Sequence, residues 1–291
     1  MVWLVTGGNG QLGRALSLQL ALEGIDFHAL DSNQLDVTNV KQVDDVIGSL
    51  KPHVVINTAA WTDVDGAETN KDFAYSVNQA GVKNLALATK RLDSIFIHFS
   101  TDYVFSGESN QPWLEDSLLA PQNIYGHSKA AGESVVNKFY SERSYILRTA
   151  WLYSEFGKNF AKTMCKIALN TKDSVRVVKD QIGQPTNAQD LASQVILVAQ
   201  VKPEFGTYHG TNSGQASWFD FAQEIFKLVG ADPDRIVGTL SSDYQRIAKR
   251  PSWSVLSHER WHTSEIPPMQ EWKQALKKSI PAILDSIEME P

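Results

Sequence analysis

A tyrosine and a lysine four residues apart are the first candidates for chemistry in this chain. They lie in the segment Tyr125-Gly-His-Ser-Lys129, and the i, i+4 spacing puts both side chains on one face of a predicted helix. A phenol has a pKa of about 10 in water. Acid–base catalysis by a tyrosine at neutral pH therefore requires a positive neighbour that stabilises the phenolate. Lys129 is spaced to be that neighbour, although a surface lysine beside a half-buried tyrosine gives the same pattern.

A threonine directly follows a predicted strand earlier in the chain. The run Ile95 to Ser100 is apolar and β-branched, and Thr101 follows it in Ser100-Thr-Asp-Tyr-Val-Phe105. In doubly wound sheets the ligand crevice lies outside the carboxyl ends of the strands. We therefore predict that Thr101, Tyr125 and Lys129 converge on one substrate oxygen.

A glycine-rich loop joins the first predicted strand, Val2 to Val5, to the first predicted helix. Gly7, Gly10 and Gly13 are spaced GxxGxxG, slightly different from the GxGxxG dinucleotide fingerprint. Glycines there would allow a tight turn, close approach of the backbone to a pyrophosphate, and close packing of helix on strand. The helix N-terminus would direct its N–H groups at the phosphates. A plain turn is the alternative, but the strand–loop–helix context favours a dinucleotide site.

Two acidic residues follow the second predicted strand. Asp31, about 20 residues past the loop, could accept a hydrogen bond from an adenosine ribose 2'-hydroxyl, which favours NADH, or could be an ordinary turn carboxylate. Asp36, with Val37, could reach the adenine, and a helix-capping role for Asp36 explains it equally well.

The elements that must position these residues alternate between short β-branched runs and amphipathic stretches, which predicts a Rossmann-type α/β fold with a doubly wound parallel sheet. The predicted strands are Val2 to Val5, Phe27 to Leu30, Val54 to Asn57, Ile95 to Ser100, Tyr145 to Arg148, Val175 to Val178 and a short one around Tyr208. The predicted helices are Gln11 to Glu23, Val40 to Leu50, Asp72 to Arg91, Tyr125 to Tyr140, Asn159 to Asn170 and Ala188 to Ala199. From Trp218 onward, helices separated by proline and polar loops predict a smaller, mostly helical cap. We assign residues 1–150 and roughly 172–215 to the dinucleotide-binding domain, and roughly 151–171 and 216–291 to a substrate-binding cap.

Composition limits the classes of function. The chain has 291 residues, 42% of them hydrophobic, and a formal net charge of -6, which argues against nucleic acid as a partner. Cys165 is the only cysteine, so an intrachain disulfide is excluded and a cytoplasmic location is the expectation. No run approaches the ~20 apolar residues of a membrane span, so no membrane partner is expected.

With these motifs in hand, the chain resembles the extended short-chain dehydrogenases/reductases, and within them the branch that reduces dTDP-linked 4-keto-6-deoxy sugars. The resemblance rests on GxxGQxG, Tyr125/Lys129 and Ser100 to Phe105, and on several longer segments. These are Asn57-Thr-Ala-Ala-Trp-Thr-Asp-Val-Asp-Gly-Ala-Glu68, Arg148-Thr-Ala-Trp-Leu-Tyr153, Asn159-Phe-Ala-Lys-Thr-Met164, Asp180-Gln-Ile-Gly-Gln-Pro-Thr186 and Arg250-Pro-Ser-Trp-Ser-Val-Leu256.

The resemblance implies hydride transfer from NADPH or NADH to C4 of the sugar, with dTDP-L-rhamnose, a precursor of cell-surface polysaccharide, as product. Tyr125 would protonate the oxygen, Lys129 would tune Tyr125 and hold the nicotinamide ribose, and Thr101 would polarise the carbonyl. The other implied cofactor residues are Gln11, Leu12, Ala59, Ala60, Thr62 and Asn78. The implied substrate residues are Asp102, Tyr103, Trp151 and Arg250. Arg250 suits the diphosphate because its guanidinium fork matches phosphate oxygens, although an arginine that caps a helix end is the alternative.

Three questions stay open at this stage. An epimerase on the same scaffold, or a non-catalytic regulatory subunit resembling the beta subunit of methionine adenosyltransferase, would share these motifs. A homodimer is a further expectation. Some relatives hold Mg²⁺ at a dimer contact through a glutamate where this chain has Ala15, so a metal-bridged dimer is not expected.

Overall fold

The computed structural model describes residues 1–244 and 246–289. Its strands are β1 Trp3–Thr6, β2 Phe27–Leu30, β3 Val54–Asn57, β4 Ile95–Thr101, β5 Ser144–Thr149, β6 Leu152–Tyr153, β7 Val175–Val178, β8 Ile182–Gly183, β9 Thr186–Asn187, β10 Gly206–His209, β11 Ala216–Ser217 and β12 Ile236–Thr239. Its α-helices are α1 Gln11–Leu22, α2 Val40–Leu50, α3 Val64–Thr69, α4 Lys71–Tyr75, α5 Val82–Lys90, α6 Ile124–Phe139, α7 Phe160–Asn170, α8 Ala188–Val201, α9 Trp218–Leu228, α10 Glu259–His262 and α11 Trp272–Glu288.

The centre of the molecule is a parallel sheet of six strands in the order β10-β5-β4-β3-β1-β2. Strands β1, β3, β4 and β5 are buried along almost their whole length, as expected for strands covered on both faces. Helices α1 and α8 pack on one face, and α2, α5 and α6 on the other. The predicted Rossmann-type fold is confirmed, and the strand order reverses between β1 and β3, where such sheets bind ligands.

One strand predicted for this sheet lies elsewhere. Val175–Val178 pairs in parallel with Ile236–Thr239 in a separate two-stranded sheet, and the sixth position of the main sheet is taken by Gly206–His209. Val177 is buried in a second apolar core with side chains from α7, α9 and α11. The local pattern of alternating β-branched residues predicts a strand, but the choice of partner depends on this distant core.

The predicted helix Asp72 to Arg91 is three segments. Between α4 and α5, residues Ser76–Gly81 form a π-helical turn, which places Asn78 fully inside the protein. Such insertions are common at functional sites because one extra residue redirects a side chain.

Among the described residues, no helix combines the length and apolarity that crossing a membrane requires.

Candidate active site

The glycine loop has the geometry predicted for a pyrophosphate cradle. Gly7 adopts a φ of 68°, and a Cβ there would lie 2.7 Å from the backbone nitrogen of Ala59. A Cβ on Gly13 would lie 2.4 Å from the carbonyl oxygen of Gly7, so the loop closes only with glycine at both positions. Helix α1 starts after Gly10, which offers no side-chain cap. Its first N–H groups are therefore left for a ligand, as a bound diphosphate requires.

Two other cofactor candidates fix this loop to its surroundings. Leu12 is buried in the core beneath α1. Gln11 accepts hydrogen bonds from Ser154 Oγ at 3.2 Å and Asn159 Nδ2 at 3.0 Å. Gln11 thus connects the glycine loop to the segment that leads into α7.

Asp31 stands directly after β2, at the edge that carries the loop. Its Oδ2 accepts from Asn9 Nδ2 at 2.6 Å, and its Oδ1 accepts from the backbone N–H groups of Asn33 and Gln34. Asp31 therefore shapes its own turn and is also tied to the loop.

Asp36 does not cap a helix. The N-cap of α2 is Asn39, while Asp36 accepts from the backbone and hydroxyl of Thr38. The capping alternative for Asp36 is wrong because the cap of α2 is Asn39, three residues further along. Val37 beside it is buried against Gly81 of the π-helical turn.

The segment after β3 carries Ala59, Ala60 and Thr62 beside the glycine loop. Asn78 holds this segment: its Oδ1 accepts from Trp61 N at 2.9 Å, and its Nδ2 donates to Trp61 O at 3.0 Å and Ser128 Oγ at 2.9 Å. Ser128 in turn donates to the carbonyl of Tyr125 at 2.7 Å. Asn78 thus ties the predicted cofactor wall to the helix that bears the predicted proton donor.

Thr101, Tyr125 and Lys129 lie together at the carboxyl end of β4. Thr101 is the last residue of β4, and Tyr125 and Lys129 occupy the first turns of α6. Helix α6 starts there because Asn123 caps it through the N–H of Gly126. Lys129 is buried, and its Nζ donates to the carbonyl of Phe99 at 2.6 Å.

The Tyr125 phenol is partly exposed to solvent but has protein around most of its ring. This desolvation raises the pKa of Tyr125, and a hydrogen bond with Thr101 opposes the rise. Burial lowers the pKa of Lys129 to about 8, and the nearby Glu133 carboxylate opposes that shift. At neutral pH Tyr125 is therefore a protonated phenol, and most Lys129 side chains carry a positive charge. Thr101 is the group that lowers the pKa of Tyr125 in this structure. That Lys129 stabilises the phenolate stays a prediction.

Two neighbours complete this cluster. Tyr103 packs edge-on against Tyr125, with ring centroids 5.9 Å apart, and burial raises its pKa to about 12. Asp102 is 2% exposed, and burial raises its pKa to about 6, against hydrogen bonds from Ser254 and Thr101. Oδ1 of Asp102 accepts from Thr101 at 2.9 Å, while its Oδ2 has no well-aligned partner among the described residues.

A buried ion pair lies behind Lys129. Arg148 of β5 makes two hydrogen bonds to Glu133, one turn after Lys129, at 2.9 Å and 2.8 Å. Both side chains are almost inaccessible to solvent. The pair joins α6 to the sheet and so fixes the position of Tyr125 relative to the end of β4.

A cleft of about 400 Å³ opens beside Tyr103. It is bounded by Phe160, Trp218, Tyr244 and Arg250, together with β7. Arg250 pairs with Asp65 of α3 at 2.8 Å and lies 5.9 Å from the Tyr103 ring. Asp65 lies in the first turn of α3, so Arg250 makes a structural ion pair at that helix end, and its role toward a diphosphate stays a prediction. Trp151 stacks on Trp218 at the same end of the molecule.

Sequence reasoning missed several cleft residues. Trp218 and Phe160 give only an amphipathic helical pattern, which predicts core packing. Ser254 and Gly183 lie inside segments that carried the family resemblance, but nothing local in them predicts contact with Asp102 or Trp151.

Comparison with known proteins places the chain in one family. Residues 1–284 match the family model described as RmlD substrate binding domain. The chain is 41% identical over 286 residues to dTDP-4-dehydrorhamnose reductase of Streptomyces griseus, covering 97% of this chain and 93% of that protein. A crystal structure of a dTDP-4-dehydrorhamnose reductase from Clostridium acetobutylicum superposes with a TM-score of 0.93 at 41% identity, covering 99% and 100% of the two chains. The Bacillus anthracis dTDP-4-dehydrorhamnose reductase, solved in complex with NADP, gives a TM-score of 0.92 at 36% identity, covering 96% and 98%.

Proposed function

This chain belongs to the RmlD substrate binding domain family, and we propose that it reduces the C4 keto group of dTDP-4-dehydrorhamnose to give dTDP-L-rhamnose, with NADPH or NADH as reductant. The observation that carries the proposal is the position of Thr101, Tyr125 and Lys129 at the carboxyl end of β4, beside the glycine loop of a Rossmann-type sheet. A keto group held there would meet a hydroxyl, a protonated phenol and a lysine at once.

The loop fits a dinucleotide. Any side chain at Gly7 or Gly13 would fill the space against the backbone, and the uncapped N-terminus of α1 offers N–H donors to a diphosphate. Asp31 would accept from the ribose, and Ala59, Ala60 and Thr62 would line the cofactor beside the loop. When bound, the reduced nicotinamide supplies a hydride to the sugar carbonyl.

The proton would come from Tyr125. Its raised pKa keeps the phenol protonated at neutral pH, which is the form that a proton donor needs. Thr101 would hydrogen-bond the same carbonyl oxygen, and the charge of Lys129 would favour the phenolate left behind. Tyr103 would line the sugar site and adjust the surroundings of the phenol.

The nucleotide end of the substrate would occupy the cleft beside Tyr103. Arg250 would bind the diphosphate after exchanging part of its pairing with Asp65. We assign the wall of this site opposite the sheet to a cap made of roughly residues 151–171 and 216–291, together with β7, which pairs with Ile236–Thr239. A cytoplasmic location and a homodimer without a bridging metal complete the proposal.

The test is spectrophotometric: purified protein, dTDP-4-dehydrorhamnose, and NADPH or NADH, followed by absorbance of the reduced nicotinamide. Reductase activity requires one cofactor oxidised per sugar. Tyr125→Phe should lower kcat by several orders of magnitude without loss of cofactor binding, because the proton donor is gone. Tyr140→Phe, which removes a phenol bonded to Ser94 away from the site, is the matched control. Cofactor that binds without being consumed by the wild type would support the epimerase or regulatory subunit instead.

A further inference from the structure

Trp218 has no role in the proposed function, yet it bounds the cleft beside Tyr103 and also stacks on Trp151. The two indoles are parallel within 10°, with ring centroids 3.7 Å apart. We propose that Trp218 is a positioning residue: it holds the Trp151 indole as a fixed wall of the keto-sugar site and so determines how tightly the sugar is bound. The proposal rests on the proposed function.

The backbone delivers Trp151 to the reacting end of the sheet. Thr149, the last residue of β5, is the register partner of Thr101, and Trp151 follows two residues later. Trp151 has a φ of 46°, a left-handed conformation that is uncommon for a large aromatic residue. Its carbonyl accepts from Thr186 N at 3.2 Å. A strained residue at this point persists only if its surroundings hold it.

Several residues contact the Trp151 indole on different sides. A Cβ on Gly183 would lie 2.6 Å from Cε2 of Trp151 and 2.8 Å from Oγ of Ser254, so the indole lies directly against the backbone there. Ser254 also contacts Asp102 of the site. Trp218 covers the flat face of the indole, and without it that face would lose its support.

Trp218 is held in place by the N-terminal cap of its helix and by a neighbouring aromatic ring. It is the first residue of α9, whose N-cap Ser217 forms a capping box: Asp220 N donates to Ser217 Oγ at 3.0 Å, and Ser217 N donates to Asp220 Oδ2 at 2.9 Å. Phe160 packs against it at 4.7 Å, and both rings line the cleft that also contains Tyr103. Trp218 therefore joins the second core both to the substrate cleft and to the Trp151 indole.

The experiment compares Trp218→Leu with Trp218→Phe, which keeps a stacking ring, and with Phe226→Leu. Phe226 is fully buried in the same helix and core, so the last variant controls for lost packing. At saturating NADPH, Trp218→Leu should lose roughly tenfold in kcat/KM for the sugar, chiefly through KM. Trp218→Phe should recover part of the loss, and the KM for NADPH should not change.

An unchanged sugar KM in Trp218→Leu, or an equal loss in Phe226→Leu, overturns the proposal. If the wild type oxidises no NADPH, the proposed function fails by itself. Calorimetric binding of dTDP-L-rhamnose then tests Trp218 separately: weaker binding by Trp218→Leu than by Phe226→Leu supports the positioning role, and equal binding refutes it.

Discussion

Replacing Asp102 by asparagine should stabilise the folded protein at neutral pH. Asp102 is almost fully buried, one of its oxygens has no well-aligned partner among the described residues, and its pKa is raised from 3.8 to about 6. Burial thus penalises the charged form, and holding a carboxylate there costs folding free energy. Asparagine has nearly the same shape and no charge, so it removes the penalty.

The magnitude follows from the two pKa values. In an unfolded chain Asp102 binds fewer protons than in the folded state between pH 3.8 and about 6, so stability falls as pH rises through that window. The cost is fully present above the folded pKa, at about 3 kcal/mol near pH 7.5, and shrinks to about 1 kcal/mol at pH 4.5. Asparagine's own hydrogen bonds contribute equally at both pH values. The difference between the two, about 2 kcal/mol, therefore belongs to the charge alone.

Urea unfolding of both proteins at pH 7.5 and pH 4.5 measures this difference. Asp102→Asn should gain about 2 kcal/mol more at pH 7.5 than at pH 4.5, while Asp234→Asn, at an exposed position, should change little at either. A gain that does not depend on pH, or no gain, would refute the reasoning. Because Asp102 contacts Thr101, the stabilised variant should also have lower reductase activity. Such a loss is expected where a charged group destabilises the fold but is needed for function.

Two further outcomes follow from contacts around the site. Glu133→Ala should lower the free energy of unfolding, measured by urea denaturation, by ~3–5 kcal/mol, because it leaves the Arg148 guanidinium buried without its carboxylate. The control is Glu142→Ala, which breaks an exposed ion pair with Lys90 and should cost less than ~1 kcal/mol. Asp31→Ala should reduce kcat/KM for NADH several-fold more than for NADPH, since only NADH offers a free 2'-hydroxyl to this carboxylate. An unchanged NADH-to-NADPH ratio would limit Asp31 to shaping its turn.

The sequence determined the features that depend on near neighbours. The glycine loop between β1 and α1 requires residues without Cβ at fixed spacing, and Tyr125 and Lys129 need only one helical turn to share a face. The alternating runs likewise gave most strands of the main sheet within a residue or two. Family resemblance then indicated residues such as Asp102 and Trp151, although their roles are still predictions.

Tertiary structure decided what depends on contacts far apart in the chain. Val175–Val178 leaves the main sheet because its apolar side packs into the second core, and the π-helical turn at Asn78 forms where that side chain satisfies the backbone of Trp61. Trp218 meets Trp151 across 67 residues of sequence, so no local periodicity distinguishes it from ordinary core. The raised pKa of Asp102 has the same origin, because desolvation is produced by every element packed around a group and cannot be deduced from its sequence neighbours alone.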